Sequence, residues 1–126
     1  NHKNKLKTTN SSEIIYGLRN FIGNANKFSK SKIEIILTSN EKDTSILIQD
    51  DGPGFPKDLI EKHRLGEPYI RSVNQENISK YGLGLGTFIG KTLLEKNYAT
   101  ITFSNSKEVG GAVVYIEWKN KDLKVN

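Results

Sequence analysis

The sequence predicts an α+β fold, a two-layer α/β sandwich in which helices cover one face of a mixed sheet. Three observations carry this. A helical period runs through EIIYGLRNFIGNANKFS, two pairs of short apolar, largely β-branched segments each flank a turn, and a second helical stretch separates the pairs. A sheet built in that order has one face that the helices must bury.

Each element has its own reason. Asn10 followed by Glu13 has capping-box spacing, with Asn in place of the usual Ser or Thr. Ile14, Leu18, Phe21, Ile22, Ala25 and Phe28 then recur at steps of three and four, which makes one apolar helix face. KIEIILTS (32–39) and TSILIQD (44–50) read as strands, with SNEKD as turn material between them. A short helix is expected over 57–64, after Pro56. Residues 65–81 are mostly polar and have no sustained period, and a loop of that length in a small domain is usually functional or mobile. GLGLG (82–86) leads into a second helix, TFIGKTLLEKN (87–97), with a buried stripe of Phe88, Ile89 and Leu93, which Thr92 extends. ATITFSN (99–105) and AVVYIEW (112–118) follow as strands joined at a Gly-Gly turn. The expected organisation is a polar leader over 1–9, one domain over 10–119 and a polar tail over 120–126.

Composition narrows the function. The 126 residues allow one domain with a modest core. No apolar run approaches the ~18 residues of a membrane span, and no signal-peptide pattern opens the chain. With no cysteine there is no disulfide, thiolate metal site or thiol redox sensor within these residues, and a reducing cytosol fits. The net charge of +5 admits nucleic acid, an anionic membrane or a phosphate-bearing small molecule. The lysines are spread along the chain and do not interleave with aromatics, so most of this charge reads as solvated surface and nucleic acid fares worst as a partner.

Three stretches carry chemistry. On the first helix Asn20, Asn24 and Lys27 share a face beside the apolar one. Two neutral oxygen donors and a cation there suit Mg²⁺, which takes oxygen ligands and leaves the rest of its shell to water and phosphate. An ordinary exposed polar face would look the same. In ILIQDDGPGFP, alternation puts Ile46, Ile48 and Asp50 on one side and Leu47, Gln49 and Asp51 on the other. Asp50 therefore faces inward at the mouth of an apolar pocket, where it needs a donor, and an adenine amino group is such a donor. Gly52 and Gly54 let the backbone pass close to a flat ring. Asp51 is expected to be exposed and replaceable. A solvated turn is the plainer alternative. In GLGLG the backbone N–H groups of Gly82, Leu83, Gly84, Leu85 and Gly86 are free for an anion at a helix N-terminus. It is neither a P-loop, lacking GK[ST], nor a good Rossmann fingerprint.

In combination and in this order, NFIGNANKFS, DDGPGF and GLGLGTFI resemble the N box and the two glycine boxes of the catalytic domain of bacterial sensor histidine kinases. That family belongs to the GHKL superfamily, with the Bergerat ATP-binding fold. The match runs over roughly 13–118. LGEPYIRS, GLGLGTFIGKTLLEKNYA and GGAVVYIEW are similar to the redox-responsive RegB/PrrB/ActS subgroup. The resemblance implies ATP and Mg²⁺ as cofactors. It places Asn24 as the Mg²⁺ ligand, Asn20 at the earlier polar N-box position, Lys27 near the phosphates and Phe28 against the adenine. Asp50 becomes the acceptor of the adenine amino hydrogen, Gly52 and Gly54 the turn under the base, and 82–86 the phosphate-holding end of a lid over about 65–81. Tyr69 and Ile70 stand where relatives carry the phenylalanines of an F box, a departure from the common form.

The resemblance also bears on the reaction. ATP-hydrolysing relatives of the gyrase, Hsp90 and MutL types have a water-activating Glu four positions before the metal Asn. Here that position is Asn20, which cannot act as a general base. Transfer to a neutral imidazole needs less help from a base. His2 and His63 are not in phosphoacceptor surroundings, so the acceptor histidine is expected on a separate upstream dimerisation domain. The expected setting is thus a catalytic fragment, itself monomeric, from a homodimeric inner-membrane sensor with a cytoplasmic kinase region and a cognate response regulator. Two alternatives share the fold: a nucleotide-binding-only pseudokinase module and an anti-sigma-type protein-serine kinase, a group that tends to carry Glu where Asn20 stands.

Overall fold

The computed structural model describes residues 11–57, 60, 85–108 and 110–123. In chain order these form α1 (Ser11–Phe28), β1 (Ile33–Ser39), β2 (Asp43–Asp50), α2 (Leu85–Lys96), β3 (Thr100–Asn105), β4 (Ala112–Lys119) and α3 (Asn120–Leu123). The expected first and second long helices and the four strands are present, and the short helix expected over 57–64 lies mostly outside the described residues. The sheet order is β1-β2-β4-β3.

One detail of the expected fold is corrected. Among the described residues every pairing is antiparallel, so the sheet seen here is not mixed. The physical reason lies in the connections. Two hairpins are antiparallel by construction, and the return through α2 enters at the far edge, so that β4 comes to lie beside β2 running the opposite way.

The register brings one apolar face together. Ile48 stands opposite Val114, Ile46 opposite Ile116, and Phe103 and Ile101 flank β4 on its other side. Phe21 and Ala25 from α1 and Leu94 from α2 close this face into the core. The helices approach closely where they cross. A Cβ on Gly17 would lie 2.9 Å from Leu94 Cγ, and one on Gly90 would lie 2.9 Å from Phe21 Cε2. Glu13 ties the far ends of the two helices by accepting from Lys96 Nζ at 3.0 Å and Asn97 Nδ2 at 3.2 Å. It thus bridges two helices, and its expected capping partner Asn10 lies outside the described residues.

The expected tail begins as part of the fold. Asn120 is buried, accepts from Thr44 Oγ1 at 2.6 Å and donates to Asn40 O at 2.7 Å, while Leu123 enters the core. A boundary at 119 therefore falls too early. The polar composition hid one anchoring leucine and one amide that joins the β1–β2 turn to β4.

Candidate functional site

A pocket opens at one end of the sandwich. Phe21, Asn24, Ala25 and Phe28 line it from α1, Ile48 and Asp50 from β2, and Ala112 and Val114 from β4. Gly54, Phe55 and Pro56 complete the wall from the turn after β2. The lining is apolar apart from the side chains of Asn24 and Asp50. An apolar slot with a few fixed polar groups is the usual form of a small-molecule site.

Asp50 is where alternation placed it, only 4% exposed and facing the core side with Ile48. Its Oδ1 accepts from Gly52 N at 2.8 Å and Ala112 N at 3.2 Å. No described residue donates to Oδ2. The carboxylate is thus held by one oxygen and offers the other as an acceptor within an apolar pocket. Gly111 makes this possible, since a Cβ there would lie 1.7 Å from Asp50 O. The Gly-Gly pair therefore divides its work: Gly110, with φ +80°, turns the chain, and Gly111 lets β4 pass against Asp50.

Asp51 corrects its expectation. It is half-buried, and its Oδ1 accepts from Lys30 N at 2.7 Å, Ser31 N at 3.1 Å and Lys32 N at 3.2 Å. Its Oδ2 accepts from Ser31 Oγ at 2.9 Å. Hydrogen bonds from the Ser31 backbone, then its hydroxyl and the neighbouring amides, hold this carboxyl well below the usual carboxylate range. Asp51 secures the α1–β1 connection and is not a spare surface charge.

The polar face of α1 is split. Asn24 lines the pocket, and its Nδ2 donates to Thr87 Oγ1 at 3.2 Å, which leaves Oδ1 without a described donor. Thr87 is 2% exposed in the first turn of α2 and so couples the start of that helix to Asn24. Asn20 is not on the pocket lining, and its Nδ2 donates back to Tyr16 O at 2.9 Å. Lys27 is exposed, with Nζ 5.5 Å from the Phe28 ring centroid. Gly52 is buried in the turn and Gly54 lines the pocket. Leu85 and Gly86 open α2. Gly82, Leu83 and Gly84, the lid over 65–81, Tyr69, Ile70, His2 and His63 lie outside the described residues.

Sequence reasoning missed Thr87, Phe55, Asn105 and Gly111. For Gly111 a signal existed, because a turn needs one glycine and GG offers a second. Thr87 and Asn105 act through tertiary contacts that no local period reveals. Among the described residues no cluster of three or more His, Asp or Glu could hold a metal. No described helix is long and apolar enough to cross a membrane.

Residues 9–122 match the family described as histidine kinase-, DNA gyrase B- and HSP90-like ATPase. The chain belongs to this ATPase family. Members similar to it include the sensor histidine kinase RegB of Cereibacter sphaeroides, 36% identical over 121 residues that cover 84% of this chain and 26% of RegB. The histidine protein kinase SaeS of Staphylococcus aureus (strain USA300) is 39% identical over 97 residues, covering 74% of this chain and 27% of SaeS. The chain therefore spans about a quarter of the length of these relatives. Among solved structures, the mycobacterial sensor histidine kinase MprB superposes with a TM-score of 0.68 at 22% identity, over 86% of this chain and 73% of that one. ShkA in complex with AMPPNP superposes with a TM-score of 0.63 at 23% identity, over 84% of this chain and 21% of that one. These structures share the α+β sandwich fold, and RegB among the relatives agrees with the expected subgroup.

Proposed function

We propose that this chain is the ATP-binding catalytic domain of a two-component sensor histidine kinase. In this role it supplies the γ-phosphoryl group of ATP to a histidine on a separate domain. The observation that carries the reading is Asp50, a buried carboxylate anchored through Oδ1 at the mouth of an apolar slot, with Oδ2 available to a donor. The exocyclic amino group of adenine is a donor on a flat apolar ring, and it suits both the carboxylate and the walls. AMPPNP, an ATP analogue, is held by the structural neighbour ShkA. The family match and the histidine kinase relatives support the same reading.

The donor set fits Mg²⁺ in the manner that this ion prefers. Asn24 Oδ1 is a neutral oxygen with no described donor, and no acidic cluster among the described residues competes for the ion. One protein oxygen with phosphate and water completing the shell is a usual Mg²⁺ arrangement. When bound, the ion neutralises charge on the transferring phosphoryl group. Thr87 orients the Asn24 amide by accepting from Nδ2. Lys27, exposed on the same helix with no carboxylate partner among the described residues, supplies positive charge for the phosphates in this reading. Phe28 and Phe55, both on the pocket lining, pack against the base, and the N–H groups of 82–86 receive the phosphates. Asn20 offers no base to activate water, so the chain favours transfer over hydrolysis.

The partners that follow are a phosphoacceptor histidine domain of the same protein and, through it, a response regulator. The parent is a homodimeric inner-membrane sensor with this domain on the cytoplasmic side. Calorimetric titration with ATP, with and without Mg²⁺, tests the reading. Asn24→Ala should lose most of the Mg²⁺-dependent gain in affinity while metal-free binding changes little. Equal Mg²⁺ dependence in the variant would remove Asn24 from the metal site.

A further inference from the structure

The turn that walls the pocket has no strand partner among the described residues. Pro53 and Pro56 have no amide hydrogen, and the Gly52 amide is taken by Asp50. What fixes Phe55 is a side chain from the far edge of the sheet. Asn105, the last residue of β3, accepts from Phe55 N through Oδ1 at 2.7 Å and donates from Nδ2 to Phe55 O at 3.0 Å. A carboxamide carries one acceptor and one donor side by side, the same pair as a peptide group, so Asn105 replaces a neighbouring strand at this one residue.

Two further features converge on the same residue. Gly54 has φ +84°, and a Cβ there would lie 2.8 Å from Asn105 Oδ1 and 2.7 Å from Gly110 O, so this glycine clears the path of the amide. Phe103, two residues before Asn105 on the same strand face, holds the Phe55 ring edge-on with centroids 5.6 Å apart. Phe103 also contacts Phe21 at 5.8 Å. One face of β3 thus secures both the backbone and the ring of Phe55, although neither Asn105 nor Phe103 lines the pocket.

We propose that Asn105 is a positioning residue for nucleotide binding: its two-point hold on the Phe55 backbone sets the wall against which the base packs. This rests on the pocket being an adenine nucleotide site. Without the amide, the Phe55 backbone loses both of these hydrogen bonds and its ring keeps the apolar contacts, so the base must order the wall on binding.

The test is metal-free ADP titration of the intact chain, below its melting transition, for wild type, Asn105→Ala, Asn105→Ser, Phe55→Ala and the Asn105→Ala/Phe55→Ala double variant. Asn105→Ala should weaken ADP binding on the order of tenfold, the effect of losing one to two hydrogen bonds. Asn105→Ser, which keeps one hydroxyl, should fall between. In the Phe55→Ala background, Asn105→Ala should cause no further loss, because it acts through Phe55. Unchanged affinity in Asn105→Ala would overturn the inference, and so would a full additional loss in the double variant, the mark of a general structural role. If Asn105→Ala does not fold, Asn105→Ser is judged by the same criteria, alone and with Phe55→Ala. Absence of ADP binding by wild type would instead overturn the nucleotide reading itself and this inference with it.

Discussion

Asp50 and Asp51 are adjacent and chemically identical, and the fold gives them unrelated work. Asp50→Asn keeps an oxygen for the Gly52 and Ala112 amides but turns an NH₂ toward the base. Loss of a charged hydrogen bond should weaken ATP binding by roughly 10- to 100-fold, with little change in melting temperature. Asp51→Ala should do the reverse and lower the melting temperature while leaving ATP affinity near wild type, since its four donors lie in the α1–β1 connection. The folded-state pKa of Asp51 is depressed, so its stabilisation is full above the unfolded carboxyl pKa of about 4 and is lost as pH falls below it. The wild-type melting temperature should therefore drop more steeply on acidification than that of Asp51→Ala, as read from the fluorescence of Trp118, the sole and buried tryptophan. Alternation made Asp50 legible because it still belongs to β2. It misjudged Asp51 because past the strand end the turn sets direction, and its partners lie about 20 residues earlier in the chain.

At the scale of elements, α2 ends in a Schellman motif. Tyr98 N donates to Glu95 O, and Ala99 N donates to Leu94 O. The left-handed position is occupied by Tyr98, with φ 74° and a 68% exposed side chain. A left-handed non-glycine residue costs roughly 1–2 kcal/mol, and glycine's extra unfolded-state entropy returns about 0.4–1 kcal/mol of that. Tyr98→Gly should therefore stabilise the chain by about 0.5–1 kcal/mol, measured by urea unfolding, and a loss of stability would point to a contact that the exposed ring makes. The α1–α2 crossing predicts the opposite sign. Gly90→Ala forces Phe21 and the Gly17 backbone apart and should destabilise by about 1–3 kcal/mol in the same assay. It should also weaken ATP binding, because Phe21 is both the contact and a pocket wall. Most helices and strands were legible from their periods, although α2 buries Thr87, Gly90 and Leu94 where a stripe of Phe88, Ile89 and Leu93 was expected, and β1 is largely exposed. The crossing was not legible, because Gly17 and Gly90 become neighbours only when the helices pack.

At the scale of the molecule, the pocket draws on α1, β2, β4 and the turn after β2, with Asn105 reaching in from β3. Three boxes in order pointed to α1, the β2 end and the start of α2 before any geometry was known, and of these α1 and the β2 end line the pocket. What they could not supply was the support behind the site: Gly111 against Asp50, Thr87 on Asn24 and Asn105 on Phe55. Those residues act across gaps of 61 to 63 positions for the first two and 50 for the last, where no periodicity operates. With no histidine among the described pocket residues, the chain alone should bind ATP without labelling itself, and it should phosphorylate an added phosphoacceptor domain. Acid-labile phosphate on the isolated chain would contradict that division of labour.

The central claim is that Asp50 reads adenine, and competition between bases tests it most directly. Guanine presents a carbonyl oxygen where adenine presents its amino group, so the Asp50 carboxylate should accept ATP and repel GTP. Calorimetric titration of wild type and Asp50→Asn with ATP and with GTP should give saturable ATP binding, much weaker GTP binding, and a preference that shrinks or disappears in the variant. Equal affinity of wild type for the two nucleotides, or a preference untouched by Asp50→Asn, would contradict the account.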